Sequence, residues 1–173
     1  MNNIILIGMP GVGKSCIGVV LAKALGMSFI DSDIVIQEQT GRTLSEIIHQ
    51  VGRGGFLRLE DEINAGIRAE NSVIATGGSA VYGEKAMAHF KQIGTVVYLA
   101  IDCRHLEERL GDLDARGVIH DKGQTLEDIY NERVGLYEKY ADVTVWEDDA
   151  LIRFEDMIGD IRSQLGYPEI VEG

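Results

Sequence analysis

The sequence predicts an α/β fold of three layers, a five-stranded parallel sheet with helices on both faces. Three observations predict it. Five apolar runs of strand length alternate with helical patterns, as parallel strands joined by helical crossovers require. The first run, Asn3-Ile4-Ile5-Leu6-Ile7, opens directly into Gly8-Met9-Pro10-Gly11-Val12-Gly13-Lys14-Ser15. An amphipathic helix from Ser15 to about Leu25 follows, so a glycine-rich loop sits between a buried strand and a helix.

That loop reads G-x-x-x-x-G-K-S, the P-loop pattern, and places the fold among P-loop NTPases. Phosphate oxygens need several backbone N–H groups aimed inward, and side chains at the tight positions would obstruct them. Gly8, Gly11 and Gly13 let the backbone wrap closely. The helix N-terminus beyond them favours an anion. Gly11, Val12, Gly13, Lys14, Ser15 and Cys16 are therefore the run expected to meet a nucleoside triphosphate. Lys14 suits the outer phosphates and Ser15 suits Mg²⁺, whereas the side chain of Cys16 is assigned to helix packing rather than chemistry.

At 173 residues the chain is expected to be a single domain, 1–173, with room for a full core. A net charge of −12 argues against a nucleic-acid surface, which needs a basic footprint. It leaves a small substrate held by a few placed cations. Cys16 and Cys103 form no metal or disulfide pattern and suit a reducing, cytoplasmic setting. No apolar run reaches membrane-spanning length, and Met1-Asn2-Asn3 lacks the basic start of a signal peptide.

The next strand, Met27 to Ile30, ends in Asp31-Ser32-Asp33. Ligands of open α/β sheets bind off the carboxyl ends of strands. Asp31 there suits the outer shell of Mg²⁺ through water, and Asp33 suits a substrate hydroxyl. A plain cap for the helix from Asp33 to about Gln39 is the competing reading. Thr43-Leu44-Ser45-Glu46 is a capping box that opens a helix to about Gln50. Gly52-Arg53-Gly54-Gly55 interrupts it, and a further helix presents Phe56, Leu59, Ile63 and Gly66/Ile67 on one face. Glu60, Asp61, Asn64 and Leu57 are expected on the other face, with Arg58 to the side as a solvated charge or a ligand group.

Ser72 to Thr76 is a buried strand, and Gly77-Gly78-Ser79 at its carboxyl end implies backbone approaching a ligand, or a simple turn. A helix to about Gln92 and a strand Thr95 to Leu99 follow. His89 and His105 read as solvated helix residues without a second metal ligand. A helix from Arg104 to about Leu110 leads into residues 111–123, which carry no clear period. Such a loop is an active-site lid with Arg116 able to reach phosphates, or a surface loop with an incidental arginine. In the helix opened by Thr125, Arg133 sits within the apolar stripe of Leu126, Tyr130, Tyr137 and Tyr140. A buried guanidinium needs an anion, from the protein or from a substrate. A last strand, Val143 to Trp146, and a helix from Ala150 to about Leu165 close the chain.

With these pieces in order, the chain resembles the shikimate kinase family, in the nucleoside monophosphate kinase-like group, over about residues 3 to 165. The matching motifs are Gly8 to Ser15, Asp31-Ser32-Asp33, Thr40-Gly41-Arg42-Thr43, Gly77-Gly78, and Arg133-x-x-Leu136-Tyr137 with Ala141. The resemblance implies transfer of the ATP γ-phosphoryl group, with Mg²⁺, to a hydroxyl of a small carboxylate-bearing acceptor such as shikimate. It implies that Lys14, Asp33 and Arg116 are catalytic and that Asp33, Gly78 and Arg133 hold the acceptor. It implies further that Arg109 stacks on adenine and Arg116 belongs to the lid. A cytoplasmic monomer, with acceptor-binding helices at about 33–69, goes with it.

The departures fall where acceptor identity is decided. The family reads G-E-x-x-F-R-x-x-E where this chain has Gly52-Arg53-Gly54-Gly55-Phe56-Leu57-Arg58-Leu59-Glu60. Leu57 replaces the substrate-binding arginine, and Arg53 replaces the acid. Arg53, one turn earlier, is a candidate substitute; Arg58 lies about 100° round the helix from Leu57 and is the weaker one. The third family glycine is Ser79, and the lid Arg-Pro is Arg116-Gly117. These changes fit a divergent shikimate kinase. They also fit a paralogous kinase for gluconate or homoserine, or a nucleotide-binding module without catalysis.

Overall fold

A computed structural model describes residues 2–110, 118–147 and 154–168. The predicted sheet is present, five parallel strands in the order β2-β3-β1-β4-β5. The elements are β1 (Asn3–Ile7), α1 (Lys14–Leu25), β2 (Ser28–Asp31), α2 (Ser32–Thr40) and α3 (Leu44–Ala65). Then come β3 (Ser72–Ala75), a 3₁₀ turn (Ala80–Tyr82), α4 (Glu84–Ile93), β4 (Gly94–Ile101) and α5 (Cys103–Leu110). The last three are α6 (Leu126–Tyr140), β5 (Val143–Glu147) and α7 (Phe154–Gln164). Helix α1 packs on α7, and α3 packs on α4, giving the two helical layers.

Strand β1 is central and wholly buried, paired with β3 through Ile4–Val73 and with β4 through Leu6–Val97. Its one polar residue earns its place. The Asn3 amide donates to the Ala69 and Ile93 carbonyls at 2.8 and 2.9 Å and accepts from the Ser72 N–H at 3.0 Å. Every strong hydrogen-bonding group of that buried amide is used, which fixes β1 against both neighbours.

Helix α3 is two helical stretches joined at Gly52, whose φ of 68° and ψ of 176° break the ladder. No atom lies within 4 Å of a Cβ placed there, so the positive φ, not crowding, is what favours glycine. Past the kink, Phe56 and Ile63 join Ile36, Ile47 and Ile119 in a small apolar cluster, against which Leu57 is half-buried. The buried stripe is Phe56, Glu60, Ile63 and Asn64, one residue round from the predicted face. The predicted capping box forms at Thr43 with Glu46, and the helix start expected at Thr125 proves to be a capping box too, with Asp128.

Several boundaries differ from expectation. Gly83 separates the 3₁₀ turn from α4, where one helix is predicted. The reason is Asp61 of α3, which accepts the Ala86 N–H at 2.7 Å and so caps α4 from another element. His89 is not a solvated residue: it is half-buried, and its Nε2 meets the Ile67 carbonyl at 2.6 Å. His105 is half-buried too. The predicted start of the last helix at Ala150 lies outside the described residues.

Candidate active site

The β1–α1 loop has the backbone that its glycines require. Gly11 and Gly13 sit at φ 84° and 92°. A Cβ at Gly8 would stand 2.6 Å from the Leu99 carbonyl oxygen, so the loop lies directly on β4. Gly13 begins α1, which has no side-chain cap and no acid in its first turn. Its first N–H groups are therefore left for an anion. Lys14 folds back over the loop and donates to the Gly8 and Met9 carbonyls at 2.8 and 2.9 Å. Burial lowers its pKa to about 8, with Asp33 opposing and Arg133 assisting the shift. It remains mostly cationic at neutral pH.

Val12 is fully buried with its side chain in the core, so only its backbone is available to a ligand. Cys16 corrects the packing assignment: its side chain is exposed and lines the cleft in front of the loop. The helix turns its Ile17 and Leu21 inward instead.

The carboxyl end of β2 delivers the paired acids to that loop. The Ser15 hydroxyl donates to Asp31 Oδ2 at 2.7 Å, and Asp31 Oδ1 accepts the Asp33 N–H at 3.0 Å. One carboxylate thus caps α2 and at the same time faces the P-loop serine. Mg²⁺ commonly takes one or two protein oxygens and fills its octahedron with phosphate and water. A serine hydroxyl beside a carboxylate fits that demand. Asp33 is half-buried; burial raises its pKa, Asp31 raises it further, and Lys14 opposes.

A cleft of about 590 Å³ joins these groups to residues from β3, α3 and α6. Lys14, Asp33, Glu60, Gly78 and Arg133 all line it. Gly78 packs against Pro10, where a Cβ would come within 2.6 Å of the proline ring, and its carbonyl accepts from the Tyr137 hydroxyl at 2.6 Å. Tyr137 in turn stacks on Tyr98 at 5.1 Å between centroids.

Arg133 is 1% exposed. Its Nε donates to the Tyr82 hydroxyl at 3.3 Å, another guanidinium N–H donates to the Ile119 carbonyl, and its charge lies 5.3 Å from the Tyr82 ring centroid. Among the described residues no carboxylate lies within ion-pair distance of it. That leaves a buried guanidinium, with a polar edge on the cleft, for an anion from outside.

The two candidate substitutes for the missing arginine are not in this cleft. Arg53 pairs with Asp121 at 2.9 Å and Glu132 at 3.3 Å and stacks over Tyr82 at 5.5 Å. It lines a neighbouring depression of about 470 Å³ instead. Arg53 follows the Gly52 kink and keeps its i, i+4 relation to Leu57, but its side chain turns to Asp121 and Glu132 and away from the cleft. Arg58 is exposed and lines neither space. Arg109 is half-buried on α5, beside Leu110, whose side chain lies under Gly11. Arg116 lies outside the described residues.

Glu60 was missed by the pattern reading. It is 2% exposed, and burial is the main cause that raises its pKa to about 7; the Ser79 hydrogen bond opposes, and Asp33 adds to the rise. Its four-residue spacing from Phe56 and three-residue spacing to Ile63 put it on the buried stripe. That spacing is the signal that finds it.

The shikimate kinase family model matches residues 10–161. The chain belongs to the shikimate kinase family. A shikimate kinase of Clostridium botulinum is 35% identical over 164 residues, covering 93% of this chain and 95% of that protein. The structure of an Acinetobacter baumannii shikimate kinase in complex with shikimate superposes with a TM-score of 0.84 at 30% identity, covering 96% of this chain and 94% of that one. A gluconokinase from Sinorhizobium meliloti shares the fold alone, at 20% identity and a TM-score of 0.53 over 95% and 91% of the two chains. Membership makes this shikimate kinase-like chain a phosphotransferase with an alcohol group as acceptor. No helix of the described residues is long and apolar enough to cross a membrane.

Proposed function

We propose that the chain transfers the γ-phosphoryl group of ATP to a ring hydroxyl of shikimate, giving shikimate 3-phosphate and ADP. The observation that carries this is the shared cleft, in which the P-loop lysine, Asp33 and an unpaired buried Arg133 face one space. A triphosphate binder, a hydroxyl acceptor and a carboxylate partner are the three parts such a transfer needs.

The residues divide the work. Backbone N–H groups from Gly11 to Cys16 take the phosphates, and Arg109 stacks on the adenine. Ser15 would hold Mg²⁺ directly and Asp31 through water, and the ion would supply charge neutralisation for the phosphates. Asp33 receives the acceptor hydroxyl, and burial, which raises its pKa, makes its carboxylate a stronger proton acceptor for that hydroxyl. Lys14 and Arg116 offset charge on the transferring group. Arg133 and the Gly78 backbone orient the acceptor carboxylate. Positioning and electrostatics then carry most of the rate, with little covalent work by the protein. The chain acts as one domain and as a cytoplasmic monomer, with residues 111–123 as its lid.

One observation favours a second acceptor. Leu57 leaves Arg133 as the guanidinium lining the cleft among the described residues, and a lost bidentate arginine costs about 2–3 kcal/mol of carboxylate binding. The test is a coupled ADP-release assay with ATP and Mg²⁺, run with shikimate, gluconate and homoserine in parallel. Turnover on shikimate supports the proposal. Silence on shikimate with turnover on either rival transfers the assignment to that rival.

A further inference from the structure

Two residues that set this chain apart from the shikimate kinase pattern, Leu57 and Ser79, flank one side chain, Glu60. Leu57 stands three residues before it on α3. An arginine there would have its guanidinium within reach of the carboxyl by helical spacing. Leu57 instead packs into the small apolar cluster and offers Glu60 nothing polar. Ser79, where the pattern has glycine, supplies a different partner: its hydroxyl donates to Glu60 Oε2 at 2.7 Å.

The second carboxyl oxygen is left over. Glu60 Oε1 is buried and has no partner among the described residues. Its place is defined by Gly77: a Cβ there would lie 2.6 Å from Glu60 Oε1 and 2.9 Å from Asp33 Oδ1. The two oxygens therefore converge on one spot, and both residues line the cleft. A buried, unpaired acceptor beside the residue that takes the reacting hydroxyl calls for a donor from the substrate.

We infer that Ser79 and Glu60 act together to read a second hydroxyl of the acceptor, the neighbour of the one that Asp33 receives. Ser79 is the positioning residue, holding Oε2, and Glu60 Oε1 accepts the neighbouring O–H. The inference rests on the proposed function. It assigns to this site a preference for acceptors with adjacent hydroxyls, made by a serine–glutamate pair where the family has an arginine.

Steady-state kinetics of the full chain test it, comparing wild type, Glu60→Gln and Ser79→Ala. The acceptors are shikimate and an analogue lacking the hydroxyl next to the one phosphorylated. Exchange of a charge-assisted hydrogen bond for a neutral one raises the shikimate KM about 5- to 10-fold in Glu60→Gln and by a smaller factor in Ser79→Ala. The ATP KM stays at the wild-type value and kcat changes little. On the analogue, both variants match wild type, an outcome that a general loss of structure cannot give. A shikimate KM within about twofold of wild type in both variants, against the shift expected, overturns the inference alone. So does an equal rise on both acceptors. If Glu60→Gln does not fold, Ser79→Ala decides by the same comparison. A wild type silent on shikimate overturns the proposed function and this inference with it.

Discussion

Glu60→Gln should change how stability depends on pH. The side chain is 2% exposed, and burial raises its pKa from 4.5 to about 7. The folded protein therefore binds a proton more tightly than the unfolded chain. By linkage, this group's contribution is fully present below about pH 4.5 and is lost as pH rises through about 7. At 1.36 kcal/mol per pH unit, raising the pKa from 4.5 to about 7 corresponds to about 3 kcal/mol in total. Of that, about 2.5 kcal/mol falls between pH 5 and pH 8. Glutamine has the same shape and does not titrate. Urea unfolding of both proteins at several pH values, with the difference in ΔG as the readout, cancels the contributions of the other carboxylates. The variant should gain on the wild type steadily from pH 5 to pH 8, by about the amount above. Parallel pH profiles would refute a desolvated Glu60 and, with it, the geometry drawn around Gly77.

Three further outcomes are expected. Lys14→Ala and Asp33→Asn should each abolish most turnover while thermal unfolding stays cooperative; wild-type rates in either variant would contradict the assignment of the cleft. Arg53→Ala should leave the shikimate KM within about threefold of wild type, since exposed ion pairs contribute about 1 kcal/mol or less and its partners are Asp121 and Glu132; a much larger rise in KM would return Arg53 to the acceptor site. Asp61→Ala should cost about 1 kcal/mol, read by urea unfolding, because it removes the cap on α4; no change would mean that Gly83 alone starts that helix.

Most of the fold was legible in the sequence because local signals agreed with one another. The apolar strand runs, the P-loop spacing and the Thr43 capping box each name a local geometry, and each forms. The strand order, with β3 between β2 and β1, depends on long-range pairing that no local pattern encodes. Of the site, Lys14, Asp33, Gly78 and Arg133 were legible because each breaks an expected pattern at a strand end or on an apolar stripe. Glu60 is read onto the solvent face because acids are mostly exposed; its four-residue step from Phe56 and three-residue step to Ile63 set it on the buried stripe instead. For Arg53 the helical spacing holds, since Gly52 lies before it, but no local pattern tells that Asp121 and Glu132, distant in sequence, draw its side chain away from the cleft. Cys16 was misplaced for a simpler reason, since a small residue at a helix start gives no sign of which way it turns.

The central claim is that this chain moves a phosphoryl group from ATP to shikimate. Incubating the full chain with ATP, Mg²⁺ and shikimate, and identifying products by mass spectrometry alongside ADP, tests it most directly. The account predicts singly phosphorylated shikimate in step with ADP. ADP without phosphorylated shikimate, or no reaction while gluconate or homoserine is phosphorylated under the same conditions, would contradict it.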